Sequence, residues 1–368
     1  MATQKIPGRA IKLGTDTIGD ITYFNGSAWQ RLAIGTPGQR LTMNEAGTFP
    51  HWGYCYGGTQ FGYTHGGNHA GDNSVYTDTI DKFSFTTDAD ATDVGNLNEG
   101  RAYLGGFHSS THGYAVSGQR GDYTNPANWN GTRNIHKYSF ITDADATFVG
   151  DLVSPVSDDD RMCRGLNNAA KTMGYACAFE SNGTTIQKIS TVTDGNAVAS
   201  AGTLSIPTGS ASKACSDTHG YIAGGWNAPA ATERNDIQKF AFATDSDSID
   251  VGDLLTAKYH TDAGGSSCTH GYSPGSSDGP TTSMVNVIEK YSFSTDGNST
   301  DVGDLSYIGG YRAGQSSQTY GYVTGGPSTP SNTIRRDEIE KYSFATDGNS
   351  TDVGDLTQAR YGAAGTEY

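Results

Sequence analysis

Ile339-Glu-Lys-Tyr-Ser-Phe344 decides the fold, because the chain writes this phrase six times. The other copies are Ile80-Asp-Lys-Phe-Ser-Phe85, Ile135-His-Lys-Tyr-Ser-Phe140, Ile186-Gln-Lys-Ile-Ser190, Ile237-Gln-Lys-Phe-Ala-Phe242 and Ile288-Glu-Lys-Tyr-Ser-Phe293. Their lysines, Lys82, Lys137, Lys188, Lys239, Lys290 and Lys341, are spaced by 55 residues once and then by 51 four times. A fixed period of that size means one supersecondary unit repeated along the chain.

The last unit shows what is repeated. Apolar residues alternate with polar ones in short runs separated by Gly, Asn, Asp and Ser, which predicts strands and turns. Strand a is expected at Ala313–Ser317, strand b at Gly321–Thr324, strand c at Ile339–Phe344 and strand d at Thr351–Leu356. The a–b turn carries Thr-His-Gly-Tyr at Thr111, Thr218 and Thr269, where glycine suits a positive φ. The c–d turn carries Thr-Asp-x-Asp/Asn-x-x-Asp, whose side chains can bond their own backbone. Four strands in about 50 residues describe a propeller blade. Residues Trp52–Gly58 read as a strand b with no strand a before it, and Gln358–Tyr368 as a strand a with nothing after it. Joining them closes an all-β, six-bladed ring and removes two sheet edges. The cut then falls at an a–b turn, which leaves the b–c loops on the opposite face. The expected domains are a small β segment at 1–50 and the propeller at 51–368.

Composition agrees with a turn-rich β-protein: 368 residues, 50 glycines, 21 tyrosines and 13 phenylalanines. A net charge of −15, with no basic cluster longer than Arg335-Arg336, argues against a nucleic-acid partner. No apolar run has the length needed to insert in a bilayer, and the first residues lack a signal-peptide core. The five cysteines, Cys55, Cys163, Cys177, Cys215 and Cys268, read as buried free thiols rather than a disulfide framework.

The blades resemble the kelch family, whose second strand ends in a glycine doublet and whose third carries an aromatic. The doublet is read at Gly57-Gly58, Gly224-Gly225 and Gly325-Gly326, and in weaker form at Ser117-Gly118 and Pro274-Gly275. The aromatic is Phe83, Tyr138, Phe240, Tyr291 and Tyr342, with Ile189 in the third blade. Ahead of the blades, Gly19-Asp-Ile-Thr-Tyr-Phe-Asn-Gly26, Trp29-Gln-Arg-Leu32 and Gly47-Thr-Phe-Pro-His-Trp52 resemble a module of bacteriophage tail fibres and other virion appendages. Asn25-Gly26 is its expected hairpin turn. The resemblance implies a structural virion protein, assembled in the host cytoplasm. Residues 1–50 would attach to other virion proteins, often as a trimer, and the propeller would contact a host surface glycan or receptor. A glycan-active enzyme and an intracellular kelch-type interaction module remain as alternatives.

Binding residues are expected in the variable b–c loops, since loops on a rigid scaffold carry recognition. These are Phe61, Tyr63 and His65 (with Asn68 and His69), Arg120, Tyr123 and Trp129, and Trp226 with Asn227. The turn histidines His112, His219 and His270 sit in different blades and do not suit one metal ion. The acidic c–d turns lack the closing Glu of a calcium loop and read as self-bonded turns. No nucleophile elbow, zinc-protease helix or phosphate loop is present, so neither catalysis nor a cofactor is expected.

Overall fold

The computed structural model describes residues 17–35, 40–43, 49–53, 56–69, 76–120, 130–153, 162–179, 183–227, 229–260, 263–278, 283–328 and 334–368. The chain divides into two compact units, Met1–Cys55 and Tyr56–Tyr368. No α-helix occurs among the described residues.

The first unit holds two antiparallel hairpins, Ile21–Phe24 with Trp29–Leu32 and Arg40–Met43 with Pro50–Gly53. Gly26 takes a positive φ of 97° in the expected turn. Asn25 Oδ1 accepts from the backbone of Ser27 and Ala28. Asp20 accepts from the Thr17 amide, Arg31 Nε and the Ile34 amide, which holds its carboxyl well below the usual range. Ile18, Phe24, Trp29, Ile34, Leu41 and Phe49 are exposed, so this unit has little core of its own.

The second unit is a six-bladed β-propeller of four-stranded antiparallel sheets. In chain order, strands a to d of blade 2 are Gly105–His108, His112–Val116, Asn134–Ser139 and Thr147–Asp151. Blade 3 has Arg164–Asn167, Met173–Cys177, Ile186–Ser190 and Val198–Ala199. Blade 4 has Ser212–Cys215, His219–Asn227, Thr232–Ala241 and Ile249–Asp253. Blade 5 has Gly265–Ser266, His270–Asp278, Ser283–Ser292 and Thr300–Asp304. Blade 6 has Ala313–Ser316, Tyr320–Pro327, Arg335–Ser343 and Thr351–Asp355. Blade 1 is built from both parts of the chain: strand a is Ala364–Glu367, and strands b to d are Phe61–His65, Thr79–Ser84 and Thr92–Asn96. The closure is of the expected kind, but strand b of blade 1 is Phe61–His65 and not Trp52–Gly58. Its doublet is accordingly Gly66-Gly67, with φ of 66° and 113°. Thr59 and Gln60 donate to the Tyr368 carbonyl where the missing a–b turn would run.

The Gly-Tyr pair of strand b explains the packing. Its glycines do not need a positive φ, contrary to the expectation; they lie in the strand under an aromatic ring. A Cβ would come within 2.3 Å of Phe83 at Gly62, 2.4 Å of Tyr291 at Gly271 and 2.1 Å of Tyr342 at Gly321. The adjoining tyrosine packs on the phenylalanine just past strand c of the following blade. Centroids are 4.7 Å apart for Tyr63–Phe140, 4.9 Å for Tyr175–Phe242, 4.6 Å for Tyr221–Phe293, 4.7 Å for Tyr272–Phe344 and 4.7 Å for Tyr322–Phe85. Blade 3 has Ile189 and Thr191 at the two aromatic positions of strand c. Phe107 of blade 2 covers both losses: it overlies Gly174 and stacks on Tyr114 at 4.8 Å. Each such pair adds roughly 0.5–1.5 kcal/mol beyond its buried area.

The repeated lysine and the acidic turn are partners across blades. Lys82–Asp143, Lys137–Asp194, Lys188–Asp245, Lys239–Asp296, Lys290–Asp347 and Lys341–Asp88 lie at 3.0, 2.6, 2.7, 2.9, 2.5 and 2.7 Å. The third turn residue also reaches the preceding blade: Asn298 Oδ1 accepts from the Asp253 amide at 3.0 Å, and Asp90 from that of Asp355 at 3.2 Å. The last Asp bonds its own turn, as at Asp352 to the Gly354 amide. The turns therefore fasten blade to blade all the way round.

Cys163, Cys177 and Cys215 are buried free thiols. Cys268 is disulfide-bonded, which corrects the expectation of free thiols throughout. Cys55 lies outside the described residues.

Candidate functional site

The middle letter of the Ile-x-Lys phrase positions the end of the ring that carries the b–c and d–a connections. Asp81, His136, Gln187, Gln238, Glu289 and Glu340 are all buried. Five of them accept from a backbone amide of the incoming d–a connection: Thr357 to Asp81 at 2.9 Å, Val153 to Gln187 at 2.7 Å, Ile206 to Gln238 at 3.0 Å, Leu255 to Glu289 at 2.7 Å and Ser306 to Glu340 at 2.6 Å. A cation further along the connection completes the clamp in Arg360–Asp81 (2.5 Å), Lys258–Glu289 (2.8 Å) and Arg312–Glu340 (3.5 Å). Arg101 instead meets His136 Nδ1 at 2.6 Å. Burial and that guanidinium push the His136 imidazole down to about 4.

Held in this way, one residue before each strand a turns left-handed. These are Tyr103, Met162, Ser210, His260, Tyr311 and Gly362, with φ between 52° and 66°. Their backbones pass hydrogen bonds around the axis: Met162 N to Tyr103 O, Tyr103 N to Gly362 O, Gly362 N to Tyr311 O and Tyr311 N to His260 O. A non-glycine residue in this conformation costs roughly 1–3 kcal/mol, and such strain gathers at functional sites.

The side chains form a continuous run of rings. Trp226 meets Tyr259 at 5.5 Å, Tyr259 meets His260 at 3.8 Å, and His260 stacks on Tyr311 at 3.7 Å. Tyr311 meets Tyr103 at 5.6 Å, and Tyr103 meets Tyr361 at 6.0 Å. Tyr103 and Tyr361 are buried, whereas Trp226, Tyr259, His260 and Tyr311 are half-buried. Tyr311 Oη is hydrogen-bonded to His260 Nε2. Burial drives the His260 imidazole well below its usual range, so it is neutral at physiological pH.

The expected binding residues divide three ways. Trp226 joins the run from the lengthened b–c hairpin of blade 4, and Asn227 follows it, accepting from the Ala230 amide. Asn68 reaches the same end, donating to Tyr361 Oη at 3.3 Å. Arg120 stands apart on a short b–c arm, 3.5 Å from Glu99. Phe61, Tyr63 and His65 are not loop residues at all. Tyr63 and His65 are fully buried in strand b, and Phe61 lies under Lys82 at 4.4 Å. Tyr123 and Trp129 lie outside the described residues. The turn histidines bond the preceding threonine, at 2.8 Å for Thr111–His112, 2.7 Å for Thr218–His219 and 2.8 Å for Thr269–His270.

The other end of the axis is closed. Strands a meet there through Gly106, Gly165, Gly264, Gly314, Gly365 and the lone lysine of this ring, Lys213, whose Nζ reaches the Gly106 carbonyl at 2.7 Å. Two residues further along, His108, Asn167, Cys215, Ser266, Ser316 and Glu367 face the axis around Tyr56. Tyr56 Oη donates to the Asn167 carbonyl at 2.6 Å and corks the ring. The remaining space is about 20 Å³, room for about one water molecule. Burial pushes the Glu367 carboxyl up to about 7, against the pull of Lys213 and Lys171.

No family model and no curated protein matches this chain.

Proposed function

We propose that this chain is a bacteriophage virion subunit, a tail-fibre, capsid-fibre or decoration protein, whose propeller grips a host surface glycan or receptor. The N-terminal motif supplies the virion part of this reading. The aromatic run carries the binding part. It lies at the end of the ring where the repeat breaks down, while the chain enters the propeller at the other end, where Gly58 pairs with Ser317. The loop end is thus free of the chain's entry. Its tyrosines and histidine sit beside buried clamps, so little of their ordering entropy is lost on binding. The reading is of binding without catalysis, and of attachment to other virion proteins through residues 1–50, with trimerisation there as part of the proposal.

Immunogold labelling of purified particles with an antibody to residues 56–368 tests it. Gold on a tail or capsid projection is expected. Particles that carry none of the polypeptide would overturn the virion assignment.

A further inference from the structure

We infer that the aromatic surface formed by Trp226 and Tyr259 is a subsite for a neutral pyranose, and that acidic glycans are excluded from it. This rests on the receptor-binding reading above and assigns it a place and a ligand class. Trp226 stands on the outer arm of the blade 4 hairpin, opposite Glu233 in register. Tyr259 belongs to the short strand Lys258–Tyr259, which pairs with Ser277 and Asp278 on the arm of blade 5. The ring pair therefore bridges two neighbouring blades. Its rings are 5.5 Å apart and inclined at 45°, both half-buried.

Polarity selects the occupant. The indole N–H of Trp226, the Tyr259 hydroxyl and the Asn227 side-chain N–H groups make no hydrogen bond among the described residues, and all three can serve sugar hydroxyls. The nearby charges are unfavourable to an anion. Arg234 is held by Asp236 at 2.5 Å, and burial, followed by the nearby Glu233 carboxylate, raises the Tyr259 phenol. The chain as a whole carries −15. An anionic sugar would meet like charge here. A quaternary ammonium would tolerate the carboxylate but would leave the three hydrogen-bonding groups idle, so the neutral sugar is favoured.

The test uses the full chain on an array of neutral oligosaccharides, sialylated and uronic-acid glycans, and immobilised choline, together with adsorption to host cells. Neutral glycans should bind, and Trp226→Ala should weaken them at least about tenfold while Trp226→Phe retains most of the affinity. Unfolding midpoints should stay nearly unchanged, since Trp226 is half-exposed. Binding only to acidic glycans or choline would overturn the sugar class while leaving receptor binding standing. Unchanged glycan affinity in Trp226→Ala would overturn the subsite. A chain that adsorbs to no host surface would remove the receptor reading and this inference together.

Discussion

The six inter-blade fastenings and the aromatic run at the loop end obey opposite rules. At the fastenings every blade repeats the same parts, Lys to Asp and Tyr to Phe, and a lost part is replaced, as Phe107 replaces the aromatics missing from blade 3. At the loop end the side chains differ from blade to blade and only tyrosine recurs: the left-handed position is Tyr, Met, Ser, His, Tyr and Gly in turn. The backbone there takes the same left-handed turn in all six blades, so the variation is not structural slack. Architecture is held by what repeats, and recognition is free to use what does not.

The comparison is put under most strain at the buried clamps, which serve both regions. Asp81→Ala leaves Arg360 fully buried without its carboxylate. Removing one partner of a buried pair costs on the order of 3–5 kcal/mol, so urea unfolding should shift by that amount. If the clamp also sets the loop end, the array signal of the folded fraction should fall as well. Stability lost with binding intact would show that the two regions are independent.

A smaller effect is expected from Gly271→Ala. The new Cβ would lie 2.4 Å from the Tyr291 ring, so ring or backbone must move. Overpacking of this kind costs roughly 1–3 kcal/mol. Gly174→Ala, which meets Phe107 from strand a of the neighbouring blade, asks whether the replacement packing is as unforgiving. A cost below about 0.5 kcal/mol at Gly174 would mark blade 3 as the loose place in the ring.

The corked end of the axis should titrate. Glu367 releases its proton at about 7 when folded, so between its ordinary value of about 4.5 and 7 the folded chain holds a proton that the unfolded chain has lost. Its contribution to stability therefore falls as pH rises through that window. Lys213, Lys171, His108, Tyr56 and Cys215 are the titratable groups around it. His108, together with His65 and His260 elsewhere, is held below its usual value by burial. These histidines act in the opposite direction, with stability falling as pH drops below about 6.5. Glu367→Gln isolates the carboxylate: relative to the parent, its urea midpoint should rise between pH 5 and pH 8. An unchanged difference would show that the carboxylate is ionised throughout.

Much of this was legible in the sequence, and the failures have physical causes. The Ile-x-Lys phrase located all six c strands because strand c places isoleucine in the core, a clamp residue inside and a lysine toward the next blade. Blade 1 was misread because Trp52-Gly-Tyr-Cys-Tyr-Gly-Gly58 imitates Tyr320–Gly326. The better signal was distance, since Tyr63 precedes Lys82 by the same 19 residues that separate Tyr322 from Lys341. The same logic places the fifth doublet at Gly275-Ser276, where φ is 63° and 153°. Trp226 and Asn68 could be picked out as loop residues. Tyr103, Tyr259, His260, Tyr311 and Tyr361 could not, because they lie in d–a connections and meet only when the ring closes. A tyrosine or histidine within two residues of the Arg or Lys before strand a, as in Arg101-Ala-Tyr103, Lys258-Tyr-His260 and Arg360-Tyr361, was the available clue.

The smallest effect bears on whether the ring has a seam. Lys341–Asp88 joins blade 6 to blade 1, and of the six Lys–Asp pairs it alone takes its partners from opposite ends of the propeller sequence. Its side chains are 18% and 49% exposed, against 15% and 36% for Lys239–Asp296 within the continuous chain. Pairs this exposed contribute about 0–1 kcal/mol, and salt weakens them further. Double-mutant cycles at Lys341/Asp88 and Lys239/Asp296 should therefore give coupling energies alike within about 0.5 kcal/mol. Geometry alone makes the two junctions equivalent, because the aromatic stack and turn bonds recur at both. A clearly larger coupling at Lys341/Asp88 would mean that the seam opens before the rest of the molecule, so that this one ion pair, unlike its five counterparts, is measured against local opening and not against global unfolding.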